Sequence, residues 1–429
     1  GGSTGEGVRL GLEELESIEV DIPLTGQGAP ELPARSVHAS LVPGMTWRLE
    51  ANGKKSNPVR IGFAVDPIIR GEEGQEQTIP VPSETHGRFD AKSDLDQYRF
   101  DARKDQPLWI ECLANRIRTG SDPVLWIDQI TADDKGVEQF KEIASNDDTG
   151  GTPGGKSFPI LNRDCALRFD PPADGRYRLR LHDYTGRGGP ASLYRLIVRP
   201  GAPDFDLVVT PWYTASNKDA KGVSRQVALI RQGGTTLLRT FAMRRNGFKD
   251  PIKLSVTGLP PGVSCPPVIL PADRDTATLV VHGTMEAASW QGFVQVVGKA
   301  GEIEQTARPG TISWSIGNWD TEFTRARLSQ QLPLSVIAEE KEPIIIQPAQ
   351  DRYEVELGGK VEIPFKLEKA MGLKGDFTVV VSGLPHSKPP SVTVKQDAGE
   401  GKLALTFAKS NEFKVEPGEW TFSLRGSGF

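Results

Sequence analysis

Between Asp96 and Ala102 the chain alternates without a slip: Tyr98, Phe100 and Ala102 fall on one parity, Gln97, Arg99 and Asp101 on the other. That is the period-2 pattern of a half-buried strand. The pattern returns in Leu108, Ile110, Cys112 and Ala114, then in Cys165, Leu167 and Phe169, in Tyr177, Leu179 and Leu181, and in Tyr194, Leu196 and Val198. Gly, Asp and Pro turns separate these runs. Alternating strands at this density within residues 84–200 predict a small antiparallel sandwich around one core.

The chain is long for one such core: at 429 residues it calls for about three domains of roughly 100 to 150 residues. Its 46 Gly and 33 Pro, with a mean hydropathy of -0.36, fit short strands and many turns, so an all-β fold is expected throughout. A net charge of -5 spread over this length gives neither a nucleic-acid footprint nor a basic membrane-binding surface. No apolar run approaches the roughly 20 residues needed to span a bilayer. The chain starts Gly-Gly-Ser-Thr-Gly without Met, which reads as a processed or excised piece whose export signal, if any, lies upstream. Three cysteines make no dense disulfide framework. Cys112 and Cys165 share the inward parity of their strands, so they are either bonded or two buried core thiols, and Cys265 stays unpaired if they bond.

Taken in order, residues 1–15 are a Gly-rich, charged lead-in. Alternation over 17–23, then 37–41, 46–51 and 59–65, predicts strands. Residues 68–83, with Gly71-Glu72-Glu73-Gly74, read as a linker. After the sandwich of 84–200 the chain repeats itself. A strand, a turn, a strand and Gly258-Leu259-Pro260 recur as a strand, a turn, a strand and Gly383-Leu384-Pro385. A domain-sized separation predicts two related domains, 204–340, enlarged by an insertion over 302–331 with Trp314 and Trp319, and 341–429.

The central stretch resembles a known family, the bacterial pre-peptidase C-terminal domain. The resemblance rests on Gly87-Arg88-Phe89-Asp90, Asp94-Leu95-Asp96-Gln97-Tyr98-Arg99-Phe100, Gly120-Ser121-Asp122-Pro123, Asn146-Asp147-Asp148, Gly175-Arg176-Tyr177-Arg178-Leu179 and Tyr194-Arg195-Leu196. It covers roughly a quarter of the chain. It implies a jelly-roll-like sandwich of the kind appended to secreted enzymes and exported multidomain proteins. The phrase Gly53-Lys54-Lys55-Ser56-Asn57-Pro58 resembles the last hairpin of bacterial Ig-like domains, so 1–67 is expected to be Ig-like, whole or short of strands that upstream sequence would supply. Asn246-Gly247-Phe248, Gly258-Leu259-Pro260-Pro261-Gly262-Val263 and Gly298-Lys299-Ala300 look like phrases that follow this module in large exported proteins of planctomycete type. The expected architecture is therefore tandem antiparallel β-sandwiches, a jelly-roll-like module with Ig-like domains on either side.

Some members of the family bind calcium through carboxylates before the first core strand, and the matching positions are Glu72 and Glu73 with Asp94 and Asp96. Glu73-Gly74-Gln75 replaces the family's Glu-Pro-Asn, which removes an amide ligand. The competing reading makes Asp94 and Asp96 turn residues that accept backbone N–H bonds. Asp122, Asn146, Asp147 and Asp148 form a second polar group whose ordinary role is also turn formation. No other cofactor is implied.

Arg176, Arg178, Arg180 and His182 share one strand face, with Arg195 and Arg199 on a neighbour. Such a row suits an anionic glycan or an acidic protein surface, or is a solvated face balanced by Asp. Trp109, on the outward parity, and Trp126 could form a platform for sugar rings or serve packing. Gly150-Gly151-Thr152-Pro153-Gly154-Gly155-Lys156-Ser157 fits a phosphate-loop pattern. The acidic lead-in and Pro159, where a helix would start, instead predict a surface loop. His38, His86, His182, His282 and His386 are scattered singly, with no metal-ligand or Ser-His-Asp spacing and no nucleophile elbow. The function expected is that of a non-catalytic accessory or scaffold segment of an exported bacterial protein, attaching to a protein or glycan surface outside the cytoplasm and joined to other domains of a larger polypeptide. The alternative is an array of carbohydrate-binding modules serving a hydrolase outside this chain.

Overall fold

The computed structural model describes residues 44–47, 50–51, 54–55, 59–117, 119–149, 163–212, 227–314, 325–329, 331–370, 374–384, 390–408 and 417–427. Every regular element among the described residues is a β-strand, and no helix is long and apolar enough to cross a membrane. The chain divides into two compact units, the first comprising residues up to 204 with 245–248, the second most of the remainder.

In the first unit β1 (Gly44–Trp47) pairs antiparallel with β4 (Val59–Gly62), and β2 (Glu50–Ala51) with β3 (Lys54–Lys55). The strands expected over 17–23 and 37–41, and with them most of the Ig-like domain expected for 1–67, lie outside the described residues. Ten strands then build the sandwich: β5 (Ile68–Arg70), β6 (Gln77–Thr78), β7 (Ser83–Arg88), β8 (Asp96–Ala102), β9 (Leu108–Leu113), β10 (Pro123–Ala132), β11 (Glu138–Asn146), β12 (Cys165–Phe169), β13 (Gly175–Asp183) and β14 (Leu193–Pro200). One sheet has the order β11-β10-β13-β8-β6, the other β12-β9-β14-β7-β5.

The inward parity of these strands is the core. Tyr98, Phe100, Leu108, Ile110, Cys112, Tyr177, Leu179, Leu181, Leu196 and Val198 are all buried in one cluster, and Leu167 packs against it half-buried. Phe100, Phe169 and Tyr177 form a compact aromatic triple with ring centroids 5.1 to 6.2 Å apart. Burying aromatic rings contributes the largest apolar areas a core of this size can hold.

Residues 68–83 are not a free linker. Ile68–Arg70 lies parallel to β7 and Gln77–Thr78 parallel to β8, and Ile79 is buried in the core. The composition of this stretch, with Gly71-Glu72-Glu73-Gly74, describes only the turn between two short edge strands. The sheets are consequently antiparallel in their centres and parallel at this one edge.

Among the described residues, the second unit carries two six-stranded sheets and two three-stranded sheets. The span expected as an insertion, 302–331, supplies integral strands: Ile303–Thr306 pairs with Trp290–Ala300, and Arg308–Trp314 lies parallel to Asp204–Trp212. Trp319 lies outside the described residues. The strand before each Gly-Leu-Pro phrase pairs antiparallel with a later one, Ile252–Thr257 with Val268–Leu270 and Phe377–Ser382 with Ser391–Val394. The glycine that opens each Gly-Leu-Pro turn has positive φ, 79° at Gly258 and 102° at Gly383. Only glycine adopts that backbone without strain.

One close approach fixes the packing of β7 on β14. A Cβ placed on Gly87 would lie 2.3 Å from the Tyr194 hydroxyl oxygen, and that ring is buried and hydrogen-bonded. Gly87→Ala should therefore destabilise the first unit by about 1–3 kcal/mol through overpacking. Gly399→Ala, where nothing lies within 4 Å, should stay within about 0.5 kcal/mol of the parent. Thermal unfolding of the two variants beside the parent chain measures the difference.

Candidate functional site

The turn between β5 and β6 carries Glu73, the loop leading into β8 carries Asp94, and Asp96 is the first residue of β8. Their carboxylate oxygens lie within 4.8 Å of one another. Asp94 is placed by its own loop: it accepts from the Asp90 N–H at 2.6 Å and from the Leu95 N–H at 3.0 Å, while Ser93 before it takes a left-handed φ of 60°. Asp96 is buried and accepts from the Tyr194 hydroxyl at 2.6 Å. Asp94 therefore does the backbone capping that the turn reading requires, and at the same time stands in a three-carboxylate group.

Of the expected set, Glu72 is turned away. Its carboxylate accepts from Gln75, and its backbone N–H donates to Gln77 at 3.2 Å. Asp90 stands closer to the group than sequence reasoning allowed: its negative charge bears on Glu73, and Arg88 holds it on its other side. The signal for it was present, since Asp90 and Asp94 belong to the loop between β7 and β8 and Asp96 opens β8. Burial and the negative charges of Asp96, Asp90 and Asp94 push Glu73 up to about 7. Burial likewise pushes Asp96 up to about 6 against the Tyr194 hydrogen bond, with Asp94 and Asp90 adding to the rise.

In the second polar group, Asn146 and Asp122 tie neighbouring segments together. Asn146 accepts from the Ala166 N–H at 3.0 Å, tying β11 to β12. Asp183 accepts from the backbone of Asp122, Thr185 and Arg187. Burial raises the Asp122 carboxyl, which Arg163 faces at 3.4 Å.

The arginine row is matched by carboxylates of its own sheet. Asp128, on the outward parity of β10 and only 2% exposed, receives Arg178 at 2.8 Å and Arg180 at 2.9 Å. Arg180 also reaches Glu142 at 3.0 Å, and Arg99 grips Glu138 with two bonds of 2.8 Å. Arg176, at the end of the row, is 61% exposed and 3.5 Å from Glu138. Asp128 escaped the sequence reading because it sits amid the apolar run Val124, Leu125 and Ile127; register with Arg178 is what reveals it.

Trp126 lies on this same face, stacked on His182 with centroids 4.8 Å apart and Arg180 at 5.4 Å from its ring. Phe140, on the neighbouring strand β11, is exposed and lies 3.7 Å from the Arg178 guanidinium. Trp109 is on the outer face of the other sheet, where its indole N–H donates to Glu111 at 3.0 Å. The two tryptophans therefore do not form one platform. Arg195 and Arg199 also belong to that second sheet, and both bind the fully buried Glu84. The Gly150 to Ser157 motif, His38 and His386 lie outside the described residues. Cys112 and Cys165 are free thiols in the core, and Cys265 is half-buried.

No protein-family model matches the chain, and no curated protein matches it. Among solved structures similar to it is the pre-peptidase C-terminal domain of a collagenase from Bacillus anthracis, 16% identical with a TM-score of 0.21, covering 30% of this chain and 97% of that one. CorA, a surface-associated copper-binding protein of Methylomicrobium album, is 11% identical with a TM-score of 0.20 over 30% of this chain and 98% of its own. The D0-D1 domain of intimin is 13% identical with a TM-score of 0.17 over 52% of this chain and 91% of its own.

The raised carboxyls give the site a pH signature. Glu73 and Asp96 have folded values of about 7 and about 6, above their ordinary 4.5 and 3.8. The folded state thus holds extra protons in that window, and their stabilising effect is full below the ordinary values and lost as pH rises through the folded ones. With a chelator present, the first unit's unfolding midpoint should fall between pH 4.5 and about 7. Glu73→Gln should flatten that slope, which a pH series of thermal melts reads directly.

Proposed function

We propose that the chain is a non-catalytic accessory segment of an exported bacterial protein, a row of β-sandwiches that positions a protein or surface partner outside the cytoplasm. In this reading the sandwich of 84–200, Ig-like domains at 204–340 and 341–429, and an Ig-like domain over 1–67 are the successive modules. The observation that carries the reading is the convergence of Glu73, from the lead-in, with Asp94 and Asp96, from the sandwich itself. The donor set is all carboxylate oxygen, which suits a hard divalent cation, calcium above all. Glu73, Asp94 and Asp96 would hold it, and its charge would offset the repulsion that raises Glu73 and Asp96. A cation there would fasten the lead-in to the module and stiffen the joint between successive domains. The strongly paired groups elsewhere support the same role: Asp128, Glu84 and Asp164 each serve to fix strands and loops to one another.

Thermal unfolding with calcium or with chelator tests this. At calcium about 100-fold above its dissociation constant, binding adds about 2.7 kcal/mol, a rise of several degrees in midpoint. Glu73→Gln should lose most of that rise. Identical melts with calcium and with chelator would end the cation reading.

A carbohydrate-binding role is the second reading, and the outward stack of Trp126 on His182 favours it, since an aromatic face exposed beside polar groups accepts a sugar ring. Trp126→Ala should then abolish binding in affinity electrophoresis against a polysaccharide panel. Retardation that survives the substitution counts against this face.

A further inference from the structure

Cys112 and Cys165 are register partners, directly opposite each other across β9 and the edge strand β12. Both side chains point into the core, and both are fully buried. Directly opposed residues of an antiparallel pair have Cα atoms about 4.5 or 5.5 Å apart, and either spacing falls in the range of about 4.4 to 6.8 Å that a disulfide spans. Among the described strands, edge strand β12 has β9 as its one sheet neighbour.

We propose that Cys112 and Cys165 form a disulfide when the chain folds in the presence of a low-molecular-weight disulfide, clamping edge strand β12 to β9. Each thiol gives up its proton. The two sulfurs together lose two electrons as their S–S bond forms, and the oxidant takes up those electrons and protons as its own S–S bond breaks into two thiols. Burial fixes the order of events. It pushes the Cys112 thiol up, so the thiolate that attacks is scarce once the core has closed, and exchange takes place while the strands are still docking. After closure the same burial shields the bond from soluble reductant. Cys265 stands apart: burial pushes its thiol up to about 12, and its sulfur rests 3.8 Å from the Pro266 carbonyl oxygen. The bond would form whether or not a cation binds near Glu73 and whatever the chain's role outside the cytoplasm.

The test uses the full chain carrying Cys265→Ser, reduced and unfolded, then refolded either with glutathione and glutathione disulfide or with reductant alone. After alkylation and digestion, the oxidised sample should yield one peptide pair joining Cys112 to Cys165 and no alkylated thiol at either. Its unfolding midpoint should exceed that of the reduced sample by several degrees, because the bond restricts the unfolded chain over residues 112–165. The gain should vanish in the same chain with Cys112→Ala. Full alkylation of both cysteines, or each found joined to glutathione instead, overturns the proposal. If the Cys265→Ser chain does not fold, the same mapping on the unaltered chain decides: a bond between Cys112 and Cys165 supports the pair, and a bond from either to Cys265 refutes it.

Discussion

The first sandwich depends on how two buried phenols are satisfied. Tyr98 comes from one sheet and Tyr194 from the other, and their hydroxyls hydrogen-bond each other across the core. Two hydroxyls facing only each other would leave one donor without an acceptor, at a cost of about 1–3 kcal/mol when buried. Asp96 supplies the acceptor, receiving a hydrogen bond from the Tyr194 hydroxyl at 2.6 Å. The carboxylate must therefore sit at the edge of the core, where it is poorly solvated. This places Asp96 beside Asp94 and Glu73, so the acidic group is a consequence of core packing as much as of loop sequence.

Charge elsewhere in the unit is handled in the opposite way. Asp128 meets two guanidiniums, Glu84 meets Arg195 and Arg199, and Asp164 accepts from three successive backbone N–H groups and from Arg116. A buried carboxylate without partners is costly, and breaking such a pair leaves an uncompensated charge. Each of these three has its compensation built in from neighbouring strands. Among the described residues, Glu73, Asp94 and Asp96 have hydrogen bonds and one another, while the ion pair that Arg88 makes is with Asp90. That contrast, more than the number of acidic residues, separates a candidate cation site from structural ion pairs.

The alternation of the sequence made the core legible. Side chains of one parity must face the same way along a strand, so Tyr98, Phe100 and Ala102, or Tyr177, Leu179 and Leu181, could be assigned inward without coordinates. Glu73, Asp94 and Asp96 were legible through the family resemblance. What the chain did not disclose was register. Asp128 opposite Arg178, Cys165 opposite Cys112 and Trp126 opposite Arg180 depend on which residues of distant strands are brought level. Ile68–Arg70 and Gln77–Thr78 were hidden for another reason: strands of two or three residues are too short to show a period, and Gly and Glu between them read as linker.

Those two short strands determine how the module is entered. Glu84 accepts from the Val65 N–H at 3.0 Å, Arg195 donates to the Phe63 carbonyl at 2.6 Å, and Arg199 pairs with Asp66 at 2.8 Å. The chain arriving at residue 63 is thus already fastened to β7 and β14 before the first core strand begins. Ile79 then enters the core between the sheets, so the lead-in cannot detach without exposing apolar surface and stripping Glu84 of a hydrogen bond. The edge that most open sandwiches leave bare is here occupied by the chain's own approach, which limits edge-to-edge pairing with other chains. Carboxylates on the two sides of that approach, Glu73 on the lead-in and Asp94 and Asp96 on the sandwich, make their mutual repulsion the force that works against an otherwise closed joint.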